Sequence, residues 1–222
     1  MITKRTIALL AVASALGVSA ASPDGETWLI DNVDHIGGHA VTVLGRPRII
    51  DAPGGKAVEF NGVDDALFLD VHPLVGAETW TWEVVFRPDV GGATEQRFFH
   101  FQENGTDNRM LFEIRVIGDH VIGDQWFLDS FAKGGDGSLT LQNKTKLHPL
   151  GRWYRVAAVY DGHSLSNYVD GVMQGSGEVR LEPQMAGQTS IGVRFTKVNY
   201  FKGAIATARM TPRALRPEEF LQ

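Results

Sequence analysis

The 222-residue sequence contains no cysteine, which excludes disulfides, thiolate chemistry and a lipid anchor on cysteine. Clusters of lysine and arginine are also missing, and the 21 basic residues are outnumbered by 26 acidic ones. Nucleic acids and anionic membranes bind clustered cations, so this composition argues against both as partners.

Long apolar runs are absent beyond the first twenty residues. The one such run, Ile7–Val18, follows Lys4 and Arg5 and precedes the small residues of Val18-Ser19-Ala20. This pattern predicts that residues 1–20 are a signal peptide, and the run is too short to span a bilayer. We therefore expect an exported protein, periplasmic or extracellular, without membrane insertion, in which residues 21–222 form a single domain.

Helical patterns and the common catalytic motifs are missing too. There is no His-Glu-x-x-His run, P-loop, dinucleotide-binding glycine pattern or Gly-x-Ser-x-Gly elbow, and His35 and His39 are separated by two glycines that would break a helix. These absences argue against zinc, nucleotide and α/β-hydrolase chemistry.

The stretch Gly151–Gly171 shows what is present. Side chains alternate along Trp153–Tyr160, the turn Asp161-Gly162 follows, and a second short strand ends at Asp170-Gly171. Alternation of period two together with Asp-Gly turns predicts antiparallel strands. Similar runs recur along the chain, so the predicted class is all-β. Residues 26–50, the lead-in segment, are expected to contain one or two strands.

The same stretch resembles the central signature of bacterial laminin-G-like jelly rolls of the concanavalin A-like lectin and glucanase superfamily. Further pieces are similar to other strands and turns of that family, in the same order along about residues 55 to 219: Gly55–Gly62, Thr79–Pro88, Thr189–Gly192 and Phe201–Ile205. The resemblance implies a two-sheet antiparallel jelly-roll sandwich. It implies little about function, because lectins, adhesins, glycosidases and lyases share this fold.

Alternation also predicts the faces of the central strands. Trp80, Trp82, Val84 and Phe86 are expected to point inward, as are Phe99 with Phe101 and Met110 with Phe112. Phe98, which alternates with Phe99, is expected to point outward. If these strands are neighbours in one sheet, one concave outer surface carries Glu83, His100, Gln102, Arg109, Glu113 and Arg115. Neighbouring strands are expected to add Asp129, Asn167 and Arg194, with Trp126 or Tyr168 as rings that stack on sugars.

Three functions remain open on this surface. Such a groove suits a carbohydrate or a cell-surface partner. A polysaccharide-cleaving enzyme is the alternative, although the paired acids of the glucanases are absent and the spacing of the polar residues differs from the lyase motifs. A structural, envelope-associated domain is the third, in which cross-strand ion pairs such as Glu113 with Arg109 and Arg115 only keep the face soluble. The oligomeric state is not indicated.

The resemblance implies no required cofactor and one structural calcium ion as a candidate. The oxygen-bearing side chains in suitable turns are Asn61, Asp64, Asp65, Asp161 and Asp170. The same residues are equally typical of turns that cap their own backbone. The family's closing strand often carries two acids where this chain has Ala206 and Thr207, which weakens the expectation.

Overall fold

The computed structural model describes residues 24–118 and 124–222, so the predicted signal peptide lies outside the described residues. In these ranges the chain forms strands β1 to β18 and one short 3-10 turn. The strands are, in order, Glu26–Leu29, His35–Ile36, His39–Ala40, Thr42–Leu44, Arg48–Ala52, Gly55–Asn61, Ala66–Leu69, Trp80–Pro88, Glu95–Glu103, Arg109–Ile117, Gln125–Gly134, Gly137–Gln142, His148–Pro149, Tyr154–Tyr160, Ser164–Val169, Val172–Glu178, Gly187–Ile191 and Lys202–Thr211. The turn is Pro217–Glu219.

Two large antiparallel sheets form a sandwich. The first sheet has the order β16-β15-β14-β8-β18-β6-β5, and β1 also pairs with β18. The second sheet has the order β12-β11-β10-β9-β17-β7-β4, and β13 also pairs with β11. Strands β2 and β3 form a small separate hairpin. The predicted all-β, concanavalin A-like jelly-roll sandwich is confirmed.

The core lies between the sheets and is rich in aromatic rings. Trp82 of the first sheet packs against Phe112 and Phe101 of the second, with ring centroids 4.1 and 4.5 Å apart. Tyr154 and Trp126 meet edge to face across the same space. Burial of these large apolar surfaces stabilises the sandwich without disulfides.

The predicted alternation of β8, β10 and β14 is confirmed. Trp82, Val84, Phe112 and Ile114 are fully buried in the core. Two expectations about the elements were wrong. The lead-in segment holds five short strands instead of one or two, and β16, whose Val172–Glu178 lacks a clear apolar alternation, was not predicted.

The outer face of the first sheet is partly covered by the segment that follows β18. Leu215 and Phe220 pack on Ala157, Val159 and Tyr168, and the Tyr168 and Phe220 rings meet edge to face. The outer face of the second sheet lies on the other side of the sandwich from this segment. Among the described residues, no helix has the length and apolar character needed to cross a bilayer.

Candidate functional site

The candidate site is the outer face of the second sheet. Cross-strand pairing sets Gln188 of β17 beside Gln102 of β9, and Gln102 beside Arg109 of β10. One step along the strands, Ser190 lies beside His100, and His100 beside Leu111. Since side chains at directly opposed positions point to the same face, these residues form two adjacent rows across the sheet.

A β-bulge adds an unexpected arginine to this face. The pairing of β9 with β10 shifts between Phe112 and Glu113, so that Phe99 opposes Phe112 while Arg97 opposes Glu113. Phe98 is the extra residue, and its ring enters the core, stacked 4.4 Å from Phe86. The prediction that Phe98 faces outward was therefore wrong. The bulge reverses the alternation before it, which turns Arg97 outward.

An ion-pair network occupies one end of the face. Glu113 lies directly opposite Asp129 of β11. Arg115 donates from Nε to Asp129 Oδ2 at 2.8 Å and also contacts Glu95, while Arg97 Nε lies 3.1 Å from Glu113 Oε1. Gln142 Nε2 donates to Asp129 Oδ2 at 2.7 Å. The predicted contact of Glu113 with Arg115 is present at 3.6 Å, but it lies within β10, and the cross-strand partner of Glu113 is Arg97 of β9 and not Arg109.

Burial and the neighbouring Asp129 raise the pKa of Glu113, even though Arg97 and Arg115 act in the opposite direction. Glu113 Oε2 and Asp129 Oδ1 are buried and have no hydrogen-bond partner. A carboxyl group in this setting holds a proton more readily than an exposed glutamate does.

A cationic cluster lies beside the network, around His100. This imidazole is fully buried although it faces outward, and its Nδ1 accepts a hydrogen bond from the backbone N–H of Phe195 at 3.3 Å. Burial, followed by the positive charges of Arg194, Arg109 and Arg97, holds the pKa of His100 well below its usual value. The ring is therefore neutral near pH 7, and the occupied Nδ1 places the proton on Nε2.

The segment after β17 brings Arg194 and Phe195 onto this face. Gly192 ends the strand with a φ of 87°, and a Cβ there would lie 2.5 Å from the Phe60 ring, so only glycine fits. Beyond this turn the Phe195 ring packs 4.8 Å from His100 and 6.0 Å from Phe68. The turn therefore places Phe195 against the sheet beside His100.

An open groove of about 380 Å³ adjoins the cluster. Phe68 and Phe195 supply its aromatic surface, and Lys197 lies 5.9 Å from the Phe68 ring. Exposed Gln188 donates to Asp70 Oδ1 at 3.3 Å along one side. The remaining lining residues are Thr42, Val43, Leu44 and Leu69. Aromatic faces beside amide and carboxylate groups are the surfaces that bind sugar rings and their hydroxyls.

Several residues predicted for this face lie elsewhere. The prediction assumed that β8 and β9 are neighbours, but residues 89–94 carry the chain from the first sheet to the second. Glu83 is therefore on the opposite outer surface, where Arg209 and the backbone N–H of Leu221 contact its carboxylate. Tyr168 is on that surface too, under Phe220.

Two further predicted residues point into the sandwich. Trp126 is fully buried, with its indole N–H donating to the Pro149 carbonyl at 3.2 Å, so its ring is not available for stacking on a sugar. Asn167 bridges the sheets by donating to Ser130 Oγ at 3.0 Å. The predicted residues that do share the outer face of the second sheet are His100, Gln102, Arg109, Glu113, Arg115 and Asp129, with Arg194 close to His100 and Arg109.

Sequence reasoning missed Arg97, Phe195, Gln188 and Asp70. Adjacent Phe98 and Phe99 were the one available signal of the bulge, since two large apolar neighbours cannot both point inward along a regular strand. No sequence pattern marked Phe195, because it follows the strand and reaches the face through the turn at Gly192.

The candidate calcium residues lie in three separate turns. Asp64 Oδ1 accepts a hydrogen bond from the side-chain amide of Asn61 at 2.7 Å, and the other four accept hydrogen bonds from backbone N–H groups. Asn61 Oδ1 accepts from three N–H groups, and Asp65 accepts from Arg46 and Asn61 at 2.6 and 3.0 Å. Asp161 Oδ1 accepts from His163 and Ser164, and Asp170 Oδ1 accepts from Arg155. Within residues 24–118 and 124–222 no three acidic, histidine or cysteine side chains cluster as a metal site. These turns fit backbone capping better than calcium, whose binding stays a prediction.

A laminin-G family model, described as the concanavalin A-like lectin/glucanases superfamily, matches residues 61–220. The chain therefore belongs to this superfamily, as the resemblance predicted. No curated protein matches the sequence.

Solved structures give the same fold at low sequence identity. Domain 4 of AbnA, an extracellular GH43 arabinanase from Geobacillus stearothermophilus solved with arabinotriose, is 18% identical with a TM-score of 0.62, covering 88% of this chain and 95% of that one. The binding domain of Paraclostridial Mosquitocidal Protein 1 is 13% identical with a TM-score of 0.64, and the match covers 88% of this chain but only 50% of that one. A heptameric SAP-like pentraxin from Limulus polyphemus is 17% identical with a TM-score of 0.56, covering 81% and 79%.

Proposed function

We propose that this protein is an exported carbohydrate-binding or surface-interaction module, and that its ligand lies along the outer face of the second sheet. The observation that carries the proposal is the groove between Phe68 and Phe195, with Asp70 and Gln188 at its side. The predicted signal peptide supports an exported location.

The groove has the chemistry that sugar recognition requires. A sugar ring presents an apolar face that packs on aromatic rings, and its hydroxyls pair with groups that both donate and accept hydrogen bonds. Gln188 supplies both functions, Asp70 accepts and Lys197 donates. Binding domains and an arabinotriose-bound domain among the similar folds support the same class of function.

Titration of the purified protein against a glycan array and soluble polysaccharides tests this proposal. We expect a subset of glycans to bind, and Gln188→Ala with Asp70→Ala to weaken that binding about tenfold, because a hydroxyl loses two partners. The matched control is Ser166→Ala, which removes another exposed hydrogen-bonded pair, with Ser176, on the first sheet. Absence of binding to every glycan would favour the structural, envelope-associated role.

One observation favours a polysaccharide-cleaving enzyme as the second candidate. Burial and the neighbouring Asp129 raise the pKa of Glu113, and a carboxyl with a raised pKa beside a second carboxyl group is suited to protonate a leaving oxygen. Against this, Glu83 and Tyr168, which were predicted for the same face, are on the other sheet, and Glu113 is only 5% exposed. Incubation with polysaccharides, followed by assay of new reducing ends and of unsaturated uronate, tests both hydrolase and lyase forms.

A further inference from the structure

Some of the arginines around His100 form ion pairs with carboxylates and others do not. Arg97 and Arg115 contact Glu113, and Arg115 also pairs with Asp129. Asp107, the acid nearest to Arg109 in sequence, gives its carboxylate to Lys133 at 2.6 Å and offers Arg109 only its backbone carbonyl, at 2.7 Å. No carboxylate among the described residues forms an ion pair with Arg109 or Arg194.

Three side chains in this place carry buried N–H groups without acceptors. They are Nε2 of His100, Nε of Arg109 and a terminal nitrogen of Arg97. The guanidinium of Arg109 lies 4.6 Å from the Phe131 ring, which fixes its position over the sheet. An unpaired buried donor costs free energy, so a group of them beside unneutralised guanidiniums indicates that an acceptor belongs there.

The charges of the cluster act on one another. Burial and the neighbouring Arg194 lower the pKa of Arg109, and burial followed by the charges of Arg194 and Arg109 lowers the pKa of His100. A bound anion would relieve this repulsion and accept from the free N–H groups. A carboxylate suits the site because its two oxygens match the planar fork of a guanidinium.

We infer that the ligand carries a carboxylate, as uronic acids do, and that Arg109 and Arg194 bind it with the Nε2–H of His100 beneath them. This inference rests on the proposed function and names the class of glycan. His100 lies beside Ser190 of β17, and the same strand contributes Gln188 to the groove. One uronate oligomer is therefore able to contact both the arginines around His100 and the groove.

The test uses uronate oligomers (galacturonate, mannuronate and glucuronate) together with their methyl esters, which keep the backbone and remove the charge. We expect at least one uronate to bind, its ester to bind about tenfold more weakly, and the affinity for the acid to fall as salt rises. Equal binding of acid and ester overturns the inference and leaves the proposed function standing, as does binding of neutral glycans alone. A sulfated, uronate-free glycan that binds as tightly overturns the choice of carboxylate.

Variants locate the contact. We expect Arg109→Gln and Arg194→Gln each to reduce uronate affinity about tenfold while leaving affinity for the methyl ester unchanged. Arg152→Gln, an exposed arginine on another part of the molecule, is the matched control. Unchanged uronate affinity in both site variants overturns the assignment, and near-ultraviolet circular dichroism confirms that each variant is folded.

Discussion

Single side chains on an outer sheet surface are usually solvated, yet His100, Glu113 and Asp129 are almost completely buried on this one. The segment at Phe195 and the neighbouring arginines cover them. Each carries a polar atom without a partner. Buried polar atoms without hydrogen-bond partners lower the stability of the ligand-free protein, as is typical of polar groups arranged to bind a ligand.

His100 makes acid sensitivity the first prediction. Burial lowers its pKa in the folded protein, so the unfolded chain binds more protons below about pH 6.5. The contribution of His100 to the free energy of unfolding should then be fully present above that pH. Below it the free energy of unfolding should decrease as pH drops, by up to about 1.4 kcal/mol per pH unit for one proton. Urea unfolding of His100→Gln between pH 7 and pH 5 should show a shallower fall than wild type.

The control for this series is His163→Gln, which changes an exposed histidine. Burial also lowers the pKa of His72, so part of the slope should remain in the His100 variant. Identical slopes in wild type and His100→Gln would contradict the buried, neutral state of this ring.

The strand β9 shows how one inserted residue changes a surface. Its bulge sends Phe98 into the core, between Phe86 and Phe112 at 4.4 and 5.6 Å, and sends Arg97 out to Glu113. A regular strand would have done the reverse and left Glu113 without this arginine.

Phe98→Ala should therefore destabilise the protein by about 3–5 kcal/mol, as the loss of a buried aromatic ring does. Phe131→Ala, which removes a half-buried ring on the outer face of β11, is the control and should cost about 1 kcal/mol. Urea midpoints at constant m value measure both. Similar small losses would mean that Phe98 faces outward after all.

Alternation along the strands predicted the sandwich and most of the inward faces, because a strand with one buried face buries every second side chain, as is common in antiparallel sheets. It did not predict the site, because a period of two separates inside from outside but does not distinguish the two outer faces of a sandwich. Glu83 and Glu113 are both outward, and only the crossing between β8 and β9 puts them on opposite surfaces.

The whole molecule has two unlike outer faces. On the first sheet the segment containing Leu215 and Phe220 covers part of the surface, and Glu83 is held by Arg209. On the second sheet a groove adjoins Arg109 and Arg194, which form no ion pair with a carboxylate among the described residues. This asymmetry is why we assign ligand binding to the second sheet.

The effect of calcium on thermal stability is a prediction for the whole molecule. Because Asn61, Asp65 and Asp161 use their oxygens on backbone amides, we expect that EDTA leaves Tm unchanged and that added calcium does not raise it. Differential scanning calorimetry measures this. A rise in Tm of several degrees with calcium would show that an ion is part of the fold.

The most direct measurement is to map the ligand on the protein by NMR, titrating the ¹⁵N-labelled chain with a glycan that binds. The account predicts that shifts concentrate at Asp70, Gln188, Gln102 and Arg194, while the amide and indole signals of Trp153 on the first sheet stay in place. Shifts concentrated around Trp153 and Arg155 would place the ligand on the first sheet and contradict the assignment.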